Sequence, residues 1–217
     1  MPLTIHYVSV FNEEDTLIPQ SDLIDSEYVQ SKCPVHNHKQ SRTFVATSPI
    51  DFNLNINRTP NRNFISCSRP ELLEYDDEHI NSPKPVIQLV FPKFLFYTEE
   101  DNIWFEFYDH PMTALKNNFI GISGWFNLSN WSRMSSTAIT LVNEKKSVII
   151  EKGDPLFRVS FYPPNLDEGI VLKKENNREV VRQWVDAHSK ISEQDWRPRL
   201  FSKTETESKC PFSFLFK

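Results

Sequence analysis

Three residues able to hold a metal stand within six positions, Cys33, His36 and His38 of Ser31-Lys-Cys-Pro-Val-His-Asn-His38. Thiolate and imidazole are zinc ligands, and a closed structural zinc site takes about four. No second Cys/His pair follows at finger spacing, so a fourth ligand has to arrive by folding, from Cys67, His79, His110 or Cys210. The tetrapeptide Ser-Lys-Cys-Pro recurs at Ser208, which singles out Cys210. The same residues also read as a turn around a half-buried thiol. No cofactor is therefore expected, with zinc as the alternative. Cysteine catalysis fits less well: a thiolate needs an adjacent base and a group to orient it, and Cys33 precedes a proline in a loop-like stretch.

The segment Trp125-Phe-Asn-Leu-Ser-Asn-Trp131-Ser-Arg133 offers a different chemistry. Tryptophan faces can stack a sugar or a base, with Asn127 and Arg133 as polar anchors. Trp125, Asn127, Trp131 and Arg133 are thus candidate ligand contacts; the competing reading is a corner of the core with its rings buried. Two further clusters have bland alternatives. The run Asp76-Asp-Glu-His79 matches no calcium loop and reads as a solvated acidic face. Asp109-His110-Pro111, just after a strand, could be an acid/base pair, or a turn with a side-chain cap.

Composition removes several classes of function. Only four glycines occur, and there is no Gly-Xaa-Gly-Xaa-Xaa-Gly, no phosphate-loop lysine motif, no Gly-Xaa-Ser-Xaa-Gly and no His-Glu-Xaa-Xaa-His. Loops that cradle phosphates spend glycine on close backbone approach. The formal net charge of −5 supplies no basic surface to track a nucleic-acid backbone, so no nucleic-acid partner is expected. The first residues carry no cationic n-region or sustained apolar run and no 18 apolar residues occur together, so neither a secretion signal nor a membrane partner is expected, and three cysteines suit a reducing compartment.

Positioning these groups falls to β-strands. Apolar and polar residues alternate over Leu3–Phe11 and Phe52–Ile56, and Thr43–Ser48, Ile103–Tyr108 and Leu156–Tyr162 also read as strands. Phe64–Ser68, Phe119–Phe126, Ala138–Val142 and Ser147–Glu151 read as further strands. Val86–Tyr97 is an apolar strand that must bend or bulge at Pro92. Short strands at roughly 8–12 residue intervals predict a mainly β antiparallel sandwich or barrel. After Lys173 the period changes: Val180, Val181, Trp184, Val185, His188 and Ile191 lie at helical spacing, predicting an amphipathic helix over 175–190. The expected division is a β-rich core over 1–169 and a C-terminal helix with an apolar docking tail over 170–217.

Two resemblances follow from motif order. The run Ile150-Glu-Lys-Gly-Asp-Pro-Leu-Phe-Arg-Val-Ser-Phe161 is similar to a late strand pair of dUTPase-like barrels. The glycine-rich nucleotide loops of that family are missing, which implies a shared barrel without the nucleotide chemistry. The order Cys33-Pro, Ser48-Pro-Ile-Asp51, Gly124-Trp-Phe-Asn, Trp131-Ser-Arg133 and Gly153-Asp-Pro-Leu-Phe-Arg-Val-Ser-Phe161 resembles uncharacterised proteins of tailed bacteriophages, including cyanophages, over about 33–162. That resemblance implies a phage origin and no particular activity. The expectation is a non-enzymatic virion or accessory protein of the host cytoplasm or particle, acting by protein–protein contact or self-association through its apolar tail. The alternatives are a metal-dependent enzyme using Cys33, His36 and His38, and a small-ligand or carbohydrate binder using Trp125, Trp131 and Arg133.

Overall fold

Period-two alternation decides which side chains meet in this molecule. The structure, a computed structural model, describes residues 2–9, 17–19, 38–60, 63–75, 80–128, 135–177, 179–180 and 182–183. Fourteen strands are assigned within these ranges: β1 (Leu3–Ser9), β2 (Leu17–Pro19), β3 (Thr43–Thr47), β4 (Phe52–Arg58), β5 (Asn63–Cys67), β6 (Leu73–Glu74), β7 (Ile87–Tyr97), β8 (Trp104–Asp109), β9 (Phe119–Gly121), β10 (Gly124–Asn127), β11 (Ser135–Leu141), β12 (Val148–Ile150), β13 (Pro155–Tyr162) and β14 (Ile170–Lys174). A short helix, α1 (Pro111–Leu115), follows β8.

The first sheet runs β14-β1-β7-β11-β9, with β6 also on β7; the second runs β10-β8-β13-β3-β2; β12, β4 and β5 form a third. Every pairing is antiparallel except β1 with β14. The expected β-sandwich or barrel class is what folds.

Phenylalanine fills the core. Phe91, Phe94, Phe119, Phe157 and Phe161 are fully buried, together with Ile5, Leu54, Ile87 and Leu89. Rings from the first and second sheets meet edge to face, Phe94 with Phe157 at 6.4 Å and Phe96 with Phe161 at 5.3 Å. Each such side chain contributes about 1.5–3 kcal/mol through removal from water, so a domain of this size needs no disulfide staple.

Several expectations meet their structural form. Pro92 is accommodated within β7 where the partner ladder skips, Ser135 facing Phe94 and Thr137 facing Leu89. Phe119–Phe126 is two strands in two sheets: β9 pairs β11 and β10 pairs β8. Ile122 and Ser123 make the crossing, and at Gly124 an added Cβ would come 2.5 Å from Cε2 of Phe126. Ile170–Lys174, placed beyond the boundary expected at 169, joins the first sheet in parallel with β1, Leu3 opposite Ile170 and Tyr7 opposite Lys174. A parallel edge strand needs no hairpin signal, which is why local pattern passes over it. The helix expected over 175–190 does not begin at Glu175: Glu175, Asn176 and Asn177 are described and not helical, whereas Glu179, Val180, Arg182 and Gln183 are helical, with Val180 half-buried. The tail from Trp196 to Lys217 lies outside the described residues.

Candidate ligand-binding face

The second sheet has two unlike faces because its strands alternate strictly. On β8, Phe105 points inward and packs on Phe161, whereas Trp104, Glu106 and Tyr108 lie on the opposite face. On β13, Phe157, Val159 and Phe161 are buried against the core; Arg158, Ser160 and Tyr162 alternate with them on the other face, where Arg158 and Tyr162 are half-buried and Ser160 is fully covered. Register then assembles the outer face. Trp125 stands opposite Glu106, Glu106 opposite Ser160 and Ser160 opposite Thr43. One row along, Trp104 stands opposite Tyr162; one row the other way, Tyr108 stands opposite Arg158.

One end of this face is aromatic. The Trp125 and Tyr162 rings stack with centroids 4.7 Å apart and planes 27° from parallel, and Trp104 leans on Trp125 at 6.2 Å. Trp125 is nevertheless 52% exposed, so a broad ring face is open to solvent beside a second ring. The Tyr162 hydroxyl donates to Glu106 Oε2 at 2.7 Å. Burial, then this carboxylate, hold the Tyr162 phenol well above its usual ionisation range.

The other end is cationic. Lys39 Nζ lies 3.5 Å from Glu106 Oε2 and 4.7 Å from the Tyr108 ring centre, and the Arg158 guanidinium lies 4.3 Å from the same ring centre. Hydroxyls connect the two ends. Thr43 Oγ1 and Ser160 Oγ are 2.7 Å apart, and Tyr108 Oη is 2.8 Å from Ser160 Oγ. The Thr43 hydroxyl also donates to Lys39 O, which ties the Lys39 turn to the sheet. A stacked ring pair, a carboxylate and two cations on one rigid sheet, over a buried floor of hydroxyls bonded to one another, can hold a ring-bearing polar molecule by stacking and hydrogen bonds.

The residues singled out in the sequence part company here. Trp125 and Asn127 lie on β10, with Trp125 at the centre of the aromatic end. Trp131 and Arg133 lie outside the described residues, as do Cys33, His36 and Cys210 and the acidic run Asp76–His79. His38 is described. Its Nε2 lies 3.0 Å from Arg42 Nη2 and 2.9 Å from Leu166 O, and Arg42 Nη2 also donates to Leu166 O. One nitrogen cannot donate to Leu166 while accepting from Arg42; since a guanidinium only donates, Nε2 is the acceptor and Arg42 serves both partners. Among the described residues no group of three His, Cys, Asp or Glu is placed to hold a metal ion.

His110 follows the capping alternative. It is buried, its Nδ1 accepts from the Met112 N–H at 3.3 Å at the start of α1, and burial with the nearby Arg158 charge lowers its pKa to about 4. A neutral acceptor near pH 7 suits a cap and does not suit a general acid. Sequence reasoning missed Glu106, Tyr108, Arg158 and Tyr162. Their alternation was visible, but the pairing of β8 with β10 and β13 that gathers them on one face is non-local.

No family model matches this chain, and no curated protein does. Solved structures similar to it include the native EIAV dUTPase, at 8% identity and a TM-score of 0.38 over 80% of this chain and 98% of that one. Another is the dUTPase of Staphylococcus bacteriophage 80alpha, at 11% identity and a TM-score of 0.34 over 63% of this chain and 83% of that one. The expectation of a non-enzymatic virion or accessory protein is corrected here, because the similar structures are enzymes. Phage proteins recur among them; the uncharacterised family itself does not. At these TM-scores neither substrate nor mechanism passes from those proteins to this one. Among the described residues no helix is long and apolar enough to cross a membrane.

Proposed function

We propose that the outer face of the second sheet holds a ring-bearing small molecule, a base or a sugar, as the ligand or substrate of this protein. The observation that carries the reading is the Trp125–Tyr162 stack: two rings 4.7 Å apart, one of them 52% exposed, beside a carboxylate already oriented by the Tyr162 hydroxyl. Burying an indole that solvent now covers is favourable, and stacking on it contributes about 1–3 kcal/mol per ring. Glu106 is the acceptor for ligand hydroxyls or amino groups; Asn127, at the end of β10, stands beside the rings.

Indole emission of the full chain, titrated with a panel of nucleosides, nucleotides and saccharides, tests this. A saturable change with one ring class, absent in Trp125→Ala, is the expected result; emission unmoved by the whole panel sinks the reading. Structures similar to this one include dUTPases, so dUTP belongs in the panel with its turnover followed alongside its binding.

A further inference from the structure

Resting on that reading, we infer that the ligand carries a phosphoryl group, met by the Arg158 guanidinium and the Lys39 ammonium. Both cations sit over the Tyr108 ring, at 4.3 and 4.7 Å from its centre, which keeps the two charges within roughly 10 Å of each other. Neither charge is used up by the chain. Arg158 donates through Nε to Asp109 O at 3.0 Å, and its two terminal nitrogens make no hydrogen bond to any described residue. Lys39 meets Glu106 at 3.5 Å with 49% of its side chain exposed, and such a surface pair contributes at most about 1 kcal/mol.

Among the described residues, Lys39, Arg158 and Glu106 bring two cations and one carboxylate to this spot; a further carboxylate belongs to Asp109, whose carbonyl holds Arg158 and whose Cβ lies against Gly121. The hydroxyls of Tyr108, Ser160 and Thr43 satisfy one another and neutralise nothing. His110, whose ionisation the Arg158 charge opposes, is neutral near pH 7. A positive spot on a chain of net charge −5 is a local device rather than a consequence of composition. With four glycines and no phosphate-cradling loop, this protein has to meet an anion with side chains, and a guanidinium fork with an ammonium beside it suits phosphoryl oxygens.

Geometry sets the reach. Trp125 pairs with Glu106, Glu106 pairs with Ser160, and Arg158 lies two residues along from Ser160. Two strand spacings across and one pleat repeat along put the ring end and the cationic end about 12 Å apart at the backbone. Lys39 Nζ reaches back to within 3.5 Å of Glu106, the residue opposite Trp125, which leaves a gap suited to a ring with a phosphorylated arm, as in a nucleoside monophosphate or a sugar phosphate.

The test compares uridine with uridine 5′-phosphate, and glucose with glucose 6-phosphate and glucuronate, by calorimetric titration of the full chain. The expected result is a preference of about tenfold or more for a phosphorylated member over its parent, shrinking as salt rises. Arg158→Gln abolishes that preference, the phosphorylated member binding the variant no better than its parent compound does, and Lys39→Gln halves it or more. Equal affinity of parent and phosphate, glucuronate matching glucose 6-phosphate, or a preference surviving both substitutions overturns the phosphoryl assignment and leaves ring binding standing. If no parent and no phosphate binds, the ring reading falls and this inference falls with it.

Discussion

Two polar regions of this molecule are built from the same kinds of residue and do opposite things with them. At the corner before β13, Asp154 is buried, its Oδ1 2.7 Å from Lys116 Nζ, its Oδ2 accepting from Asn117 Nδ2 at 2.7 Å and from the Glu151 N–H at 3.0 Å. Lys116 reaches Glu151 as well, and Ser48 exchanges backbone hydrogen bonds with Gly153 and Asp154. Both carboxylate oxygens are taken up by the chain itself. On the outer face of the second sheet, by contrast, an indole face and the terminal nitrogens of Arg158 are presented and left for something else. Polar chemistry that the fold saturates is structure; polar chemistry that it positions and leaves open is a site.

The largest effect that sharpens this contrast is Asp154→Ala. Burial works against the ionised carboxyl, but Lys116, the Glu151 N–H and Asn117 outweigh it and hold its pKa below the usual range. Removing it strands Asn117 and the corner amide, for an expected loss of about 3 kcal/mol in denaturant unfolding with ligand binding intact. Binding lost in proportion to stability would break the contrast.

Next comes the dependence of stability on pH. His110 has a folded pKa of about 4 against an ordinary 6.5, so as pH falls the unfolded chain takes the proton first. Its share of stability is whole above pH 6.5 and drains away between there and 4, amounting to about 2 kcal/mol once residual solvation is allowed for. His110→Asn keeps a capping acceptor and removes the titration. The variant is expected to lose less stability than the parent across that window, as measured by unfolding at each pH; parallel curves would refute the assignment.

A smaller effect is expected at Gly153, whose φ of +93° falls where side chains are strained. Gly153→Ala should cost about 1–2 kcal/mol with no loss of binding. The smallest is Tyr162→Phe, which removes the hydroxyl on Glu106 and keeps the stacked ring. Less than about 1 kcal/mol of stability should go, and ring binding should survive with a weaker polar anchor.

How far the sequence reaches differs between the regions. Gly153-Asp-Pro reads as a turn from its residues alone, because glycine supplies positive φ and proline presets the next residue. Alternation along Trp104–Asp109 and Pro155–Tyr162 separates one face from the other without naming what lies across the sheet. Trp125 was legible as a ring candidate from its type. Its companion was sought nearby, at Trp131, whereas the described partner is Tyr162, reached only through the pairing of β10 with β8 and of β8 with β13. Lys39 is further hidden, entering the face from a turn before β3. Local pattern fixes which way a side chain faces, and register, a long-range property, fixes whom it meets.

The most direct test of the central claim is a paired measurement on Trp125→Ala: calorimetric titration with the ring ligand that the panel selects, and thermal unfolding of the same sample. The account predicts an affinity at least about tenfold weaker with an unfolding midpoint within about 2 °C of the parent, since the ring is half exposed and packs on the outer face. An unchanged affinity, or a collapse of stability that carries binding down with it, would show that Trp125 belongs to the structure and that the outer face is not the site.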